Sequence, residues 1–417
     1  MKVVVAIDSF KGSLSSMEAG EAAKKGIRKA VTDAEVVVKP LADGGEGTVE
    51  ALTLGMGGNL EIIEVTGPLG EKVDCVYGII ESKEETAIQN IVEDNSDIKK
   101  VGKRKKTAII EMSGAAGITL VPENDRNPLH TTTYGVGEVI KDAISKGCRH
   151  FIVGIGGSAT NDGGIGMLQA LGYGMLDKDG KQVAFGAKGL KDIETISDDS
   201  VITELKECTF RVACDVTNPL CGEMGCSAVF GPQKGADQNL IIQMDQWLSQ
   251  YAKLTSEKYE KADAKYPGTG AAGGLGFAFL SYTNAVLESG IKIIVEETKL
   301  EDDIKNADIV VTGEGRLDGQ TVFGKAPIGV AGIAKKYDKT VIAFSGSVTK
   351  DATACNKHGI DAFFPILRKV QTLQEAMDSE NAKENLAATV EQVFRLINIV
   401  CVFIFQISYY IHELIVS

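Results

Sequence analysis

Residues Lys2 to Asp8, KVVVAID, form an almost unbroken apolar run that ends in a carboxylate. A run this short and this rich in β-branched residues reads as a strand buried on both faces, as in a parallel sheet. A Ser-rich turn, an amphipathic stretch over about 16–31 and a second run, Glu35 to Lys39, follow it, and then comes the glycine-rich LADGGEGT. This strand–helix–strand–helix order predicts parallel pairing, with loops at strand C-termini open to ligands. The pattern returns near the end in IKIIVEE, ADIVVTGEG, KTVIAFSG and DAFFPIL, spaced by helical stretches such as Pro327 to Lys336.

The middle of the chain is less regular. VTGPLGEKVDCVYGII reads as β-rich with a turn at Pro68 to Gly70. TAIIEMS, RHFIVGIGG and FRVACDV read as strands, and Ile241 to Glu260 as one long amphipathic helix. The expectation is an α/β protein of two domains. A Rossmann-like parallel-sheet domain is built from both chain ends, 1–64 plus 291–396, and a mixed α/β domain, 65–290, is inserted into it. Residues 397–417 form an atypical apolar tail.

The chain has 417 residues and a net charge of −13, with one short basic run, Lys99 to Lys106, which reads as a solvated loop or hairpin tip. That balance argues against nucleic acid as a partner. An anionic ligand would have to be held by local cations, backbone N–H groups or a metal ion. Eight cysteines without CxxC pairs read as reduced thiols, with no zinc site. The start, MKVVVAIDSF, enters a strand directly and leaves no room for a signal peptide, so a cytoplasmic protein is expected. In the tail, Ile399 to Ile411 is apolar apart from Gln406 and Ser408. That falls short of the ~20 residues a bilayer span needs. An aberrant extension, or a helix packed on the body or on a partner chain, is favoured over a membrane anchor. Self-association is left open.

The glycine loops carry the chemistry. GIGGSATNDGGIG, residues 154–166, has six glycines in thirteen positions. Gly154 to Ala159 fits G-x-G-x-x-A after a strand, and Gly156, Gly157, Ser158, Thr160, Asn161 and Asp162 are candidate phosphate-binding residues at a helix start. Asn161 or Asp162 capping the helix is the plain alternative. TGEGRLDGQT, 312–321, combines Glu314, Asp318, Arg316 and Gln320, and Arg316 suits bidentate grip of a carboxylate or phosphate. Gly319 to Lys325 copies seven positions of a Walker A loop, but Ala326 replaces the metal-binding hydroxyl, so the match is read as false. Lys325 stays a candidate for phosphate contact. Gly268 to Gly274 fits G-x-G-x-x-G without the strand context, and reads as a close-packed turn or a second anion loop. Asp8, Ser9 and Lys11 follow the first strand, Asp43 and Glu46 the second, and Asp215 and Asn218 follow FRVAC.

Carboxylates, one arginine, lysines and phosphate-type loops at strand ends point to phosphoryl transfer. No histidine lies in these loops, which disfavours histidine acid–base chemistry. Catalytic candidates are Asp43, Arg316, Asp318 and Lys11. Substrate candidates are Asp8, Ser9, Glu46, Asp215, Asn218, Glu314 and Gln320, and metal candidates are Asp318 and Asp215. Asp43 is expected nearest the acceptor hydroxyl and Asp318 near the metal, roles that could be exchanged.

The set DSFKGSLS, LADGGEGT, VTGPLG, GIGGSATNDGG, CDVTNPL, FGPQKGA, GTGAAGGLG, TGEGRLDGQT and GKAP runs in order over nearly the whole chain. It resembles the bacterial glycerate kinases. The resemblance implies ATP- and Mg2+-dependent phosphorylation of glycerate, leaning towards 2-phosphoglycerate over 3-phosphoglycerate, in a two-domain α/β fold with the active-site cleft between the domains. Residues 83–106 look longer than the corresponding family segment, and the tail after Leu396 does not resemble the family's ending. Two other readings compete. One is an NAD-dependent oxidoreductase of a small hydroxy acid, with Asp177 or Asp179 on the ribose; the other is a non-catalytic small-acid binding protein.

Overall fold

The N-terminal apolar run forms strand β1 (Lys2–Ile7) in the computed structural model, which describes residues 1–42, 44–82 and 105–416. The later strands are β2 (Glu35–Val38), β3 (Asn59–Thr66), β4 (Lys72–Ser82), β5 (Lys105–Glu111), β6 (His150–Gly154), β7 (Gly174–Leu176), β8 (Thr195–Ser197), β9 (Thr209–Ala213), β10 (Ala285–Glu288), β11 (Ile309–Leu317), β12 (Thr340–Val348) and β13 (Ala362–Pro365). The chain divides into two units, Met1–Asp43 with Ile294–Ser417, and Gly44–Ile293.

The unit made from both ends carries an all-parallel sheet in the order β13–β12–β11–β1–β2. From β1 the chain crosses to β2, and from β11 it crosses the other way, to β12. Right-handed crossovers in opposite directions lay their helices on opposite faces. The switch point of the sheet therefore lies between β1 and β11, where such folds bind ligands. Val3, Val5 and Ile7 alternate onto one face and pack with Ala19, Ala23, Ile27, Leu386 and Val390. These come from the helices Ser16–Ala30 and Ser379–Val416. Gly26 lets the two helices meet, since a Cβ there would stand 2.3 Å from the Ala387 carbonyl oxygen. The first helix starts sharply because Ser15 and Glu18 form a capping box. Ser16 Oγ donates to the Ile7 carbonyl at 2.7 Å and accepts from the Leu41 N–H at 2.9 Å, tying the end of β1 to the chain beyond β2.

The second unit has a sheet in the order β10–β9–β6–β5–β4–β3, parallel from β10 to β5 and antiparallel beyond. A small ribbon, β7–β8, stands apart from it in the sheet pairing. Phe151 stacks on Phe210 at 4.7 Å between ring centres, and Phe210 meets Phe279 at 5.6 Å, at the centre of the core.

Two expectations change. The first segment of the discontinuous unit ends at residue 43, not 64, because β3 pairs along its whole length with β4, from Asn59↔Ile79 to Thr66↔Lys72. IKIIVEE is part of a helix, Gly290–Glu297. Ile291, Ile294, Val295 and Thr298 recur at helical spacing, a signal that a short apolar run hides.

The basic run lies outside the described residues except for its end, where Lys106 pairs with Glu81 at 3.1 Å. The tail continues the Ser379–Val416 helix, with Ile399 66% exposed and the side chains beyond Val400 outside the described residues. Among the described residues no helix is long and apolar enough to cross a membrane. Among the described residues seven cysteines are free thiols.

Candidate functional site

The strand ends flanking the switch point of the first unit converge on a cavity of about 420 Å³. Asp8, Ser9 and Lys11 reach it from the end of β1. Glu314, Arg316, Asp318 and Lys325 reach it from the end of β11 and the loop beyond. Phe10, Ile366, Leu373 and Met377 supply an apolar wall. Asp8 is 7% exposed, its carboxylate accepts the Ser9 N–H at 2.7 Å, and its own N–H donates to the Gly313 carbonyl at 2.9 Å. Adjacent parallel strands thus hold the two groups in register.

Charges in this cavity are interleaved. Lys325 Nζ lies 3.5 Å from Glu314 and 3.7 Å from Asp318, and Arg316 Nε lies 3.4 Å from Asp318. The Arg316 side chain is 66% exposed, so its remaining donors can turn to a ligand. Burial pushes the Glu314 carboxyl above the ordinary carboxylate range, opposed by the Thr321 hydroxyl at 2.7 Å and by Lys325. Lys325 sits at the N-cap of the Ala326–Lys336 helix and faces the Glu314 and Asp318 carboxylates. Gln320 is exposed, and its backbone N–H donates to Asp318 at 2.9 Å.

In the second unit the loop after β6 is exposed only at Gly156 and Gly157. Gly157 has φ +72°, a conformation that favours glycine. The backbone here is pinned to a neighbouring segment: Ile118 N–H donates to the Gly157 carbonyl at 2.8 Å, and Ala159 N–H to the Ala116 carbonyl at 2.9 Å. The N–H groups of Gly156, Gly157 and Ser158 find no acceptor among the described residues. Adjacent donors of this kind beside an exposed turn suit an anion.

Phosphate contacts for Thr160, Asn161 and Asp162 need revision, because all three are fully buried. Asn161 donates to Ser227 Oγ at 2.9 Å. Asp162 accepts from the Thr133 N–H and hydroxyl and from the Gly164 and Gly166 N–H groups. The Ile165–Ala170 helix has Gly164 at its N-cap, and the Asp162 carboxylate already accepts the Gly166 N–H of its first turn. Burial holds the Asp162 carboxyl above the usual range despite those donors. The Gly268–Gly274 stretch is a close-packed turn, since a Cβ on Gly273 would stand 2.1 Å from the Thr160 carbonyl oxygen.

Two residues escaped the sequence reading. Glu111, at the end of β5, accepts the Val49 N–H at 2.8 Å and plugs the start of the Thr48–Gly55 helix, leaving Glu46 exposed on its turn. Lys234, from FGPQKGA, is 2% exposed and donates to Ser158 Oγ at 2.8 Å and to the Thr160 carbonyl at 2.6 Å. A lysine between proline and glycine turns carries no pattern that announces burial. Of the other candidates, Asp215 is exposed and accepts the Gly290 N–H at 3.1 Å, while Asn218 donates to the Met224 carbonyl at 2.8 Å. Asp43 lies outside the described residues.

Residues 3–398 match the model of the glycerate kinase family. This chain belongs to the glycerate kinase family. It is similar to the glycerate 2-kinase of Escherichia coli K12, 45% identical over 94% of this chain and 98% of that one. It is 44% identical to a glycerate kinase of Haemophilus influenzae, over 95% of this chain and 99% of that one. A crystal structure from Salmonella typhimurium LT2, named for glycerate kinase 2, superposes with a TM-score of 0.83 at 43% identity, covering 95% and 98% of the two chains. The chain is therefore a kinase, and the binding-protein alternative falls with that membership. The oxidoreductase reading also lacks its geometry: the helix after β6 begins only at Ile165, and Asp177 instead accepts the Asp179 and Lys181 N–H groups in a turn.

Proposed function

We propose that this kinase transfers the γ-phosphoryl group of ATP to a hydroxyl of glycerate, giving ADP and 2-phosphoglycerate. The observation that carries the reading is the cavity at the switch point, where Asp8, Glu314, Arg316, Asp318 and Lys325 converge. Glycerate needs a cation for its carboxylate and an acceptor for the proton its hydroxyl loses. Arg316 and Lys11 supply the first, and a carboxylate supplies the second. Asp43 stays the candidate base on sequence grounds. Asp8 and Ser9 position the small acid, and Gln320 stays a substrate candidate on sequence grounds.

The nucleotide phosphates are assigned to the Gly156–Ser158 loop, which is exposed at Gly156 and Gly157. Asp215, Asn218 and Glu46 belong to that second unit, at the ends of its strands and turns.

A magnesium ion is the expected companion of ATP. Among the described residues no group of three His, Cys, Asp or Glu side chains forms a ready cage. A cation held by one or two carboxylates and the nucleotide itself fits such a surface. Asp318 is the carboxylate that would hold it, with Asp215 the alternative, and the ion would neutralise charge on the transferring group.

The test is ADP release from ATP with glycerate and magnesium, with the product position read by NMR. Absence of ADP formation from a folded sample would defeat the reading. Phosphate on the terminal hydroxyl would replace the 2-phosphoglycerate assignment with 3-phosphoglycerate.

A further inference from the structure

Lys234 is the buried cation that the reaction scheme leaves unused. Its ammonium lies beneath the Gly156–Ser158 loop, 98% of the residue removed from solvent, and no carboxylate lies within ion-pair distance of it among the described residues. The other ionisable groups that bear on it are the Asp162 carboxyl and the Cys226 thiol. Burying an ammonium costs several kcal/mol, offset only by the hydrogen bonds and opposite charges around it. Its two acceptors among the described residues are Ser158 Oγ and the Thr160 carbonyl, both on the loop that is exposed at Gly156 and Gly157.

The chemistry of that contact is directional. An ammonium only donates, so Ser158 Oγ must accept from it. The hydroxyl proton is then left to be donated elsewhere, and a cation behind the oxygen makes that O–H a stronger donor. Ser158 is 8% exposed and follows the exposed Gly156 and Gly157 directly. Its backbone neighbours are pinned through Gly157 and Ala159, and the Lys234 contact at 2.8 Å holds the hydroxyl oxygen itself.

We propose that Lys234 is a positioning residue that orients and polarises the Ser158 hydroxyl as a donor to the phosphate oxygens of ATP over the Gly156–Ser158 loop. The inference rests on the assignment of nucleotide to that loop. Lys234 touches no substrate and acts through Ser158.

Kinetics of Ser158→Ala, Lys234→Met and the double variant test it, with thermal denaturation of each to establish folding. Ser158→Ala should raise the Michaelis constant for ATP by about ten- to a hundredfold, the range for a lost hydrogen bond to a charged group. Lys234→Met should give a similar rise, and the double variant should be no worse than the more affected single variant. Effects that multiply in the double variant would overturn the proposal, because Lys234 would then act independently of Ser158. So would a normal ATP constant in folded Lys234→Met. Should Lys234→Met fail to fold, Ser158→Ala decides alone, and a normal ATP constant overturns it. Coupled rises confined to the glycerate constant would keep the Lys234–Ser158 unit and overturn the assignment of the loop to nucleotide.

Discussion

Lys325 Nζ stands 3.5 Å from Glu314, whose other carboxylate oxygen accepts the Thr321 hydroxyl at 2.7 Å. A half-exposed cation thus compensates a buried anion at the end of a central strand. The lysine comes from a helix N-cap, and the glutamate from a strand whose register is set on both sides by β1 and β12.

Lys325→Met should move the acid limb of the pH–rate profile to higher pH. Burial already raises the Glu314 carboxyl, and Lys325 opposes that shift. Without it Glu314 takes up a proton at a higher pH, so activity that needs the anion is lost sooner on acidification. Measured kcat across pH 4–8 checks this. An unmoved limb would mean that Glu314 is not titrating in the reaction.

Arg316→Lys keeps the charge and loses the planar fork. Activity should fall by about tenfold or more, in line with the loss of a charge-assisted bond. A rise confined to the glycerate Michaelis constant identifies the carboxylate as its partner. A fall in kcat identifies the transferring phosphoryl group. Full activity would leave Arg316 as a surface partner of Asp318.

Asp318→Asn removes a carboxylate that two cations already face, Arg316 at 3.4 Å and Lys325 at 3.7 Å. The expected mark is a higher magnesium concentration for half-maximal rate, with ATP binding retained. A titration of activity against magnesium that superposes on the unsubstituted enzyme would remove Asp318 from the metal.

Gly26→Val tests the helix contact that closes one face of the first unit. Even the Cβ would meet the Ala387 carbonyl at 2.3 Å, so the two helices must separate. The expected destabilisation is about 1–3 kcal/mol or more, as for overpacking, read by denaturant unfolding. A loss under a few tenths would show that the helices separate freely.

The buried lysine predicts a stability signature. Burial pulls the Lys234 ammonium down to about 8 from its ordinary value of 10.5, with Asp162 and Cys226 pulling the other way. Between those two values the unfolded chain binds the proton that the folded chain has released. Stability contributed by this group therefore rises with pH from about 8 to 10.5. Against Lys234→Met, the unsubstituted protein should gain relative stability from pH 8 to 10 in unfolding experiments. A constant difference would mean that Lys234 keeps its proton on burial.

The strand ends were legible because their signal is local. KVVVAID and ADIVVTGEG each show a β-branched run closing on a carboxylate, and parallel crossovers place such ends together whatever the rest of the chain does. The same locality misled at IKIIVEE, where apolar content alone does not separate strand from helix. It misled again at Thr160 to Asp162, where polar side chains in a glycine loop looked available and are buried beneath it.

By itself the sequence determined the parallel α/β class, the family, and which loops bear charge, because these depend on periodicity, composition and ordered motifs along one chain. Only the tertiary structure decided which charged groups meet and which are consumed in holding the fold. Asp162 and Glu111 close helix starts, Lys234 lies under the loop it supports, and Lys325 pairs with Glu314. Burial and partnership arise between segments far apart in the chain, and a side chain's charge carries no record of the backbone donor or cation that folding brings to it.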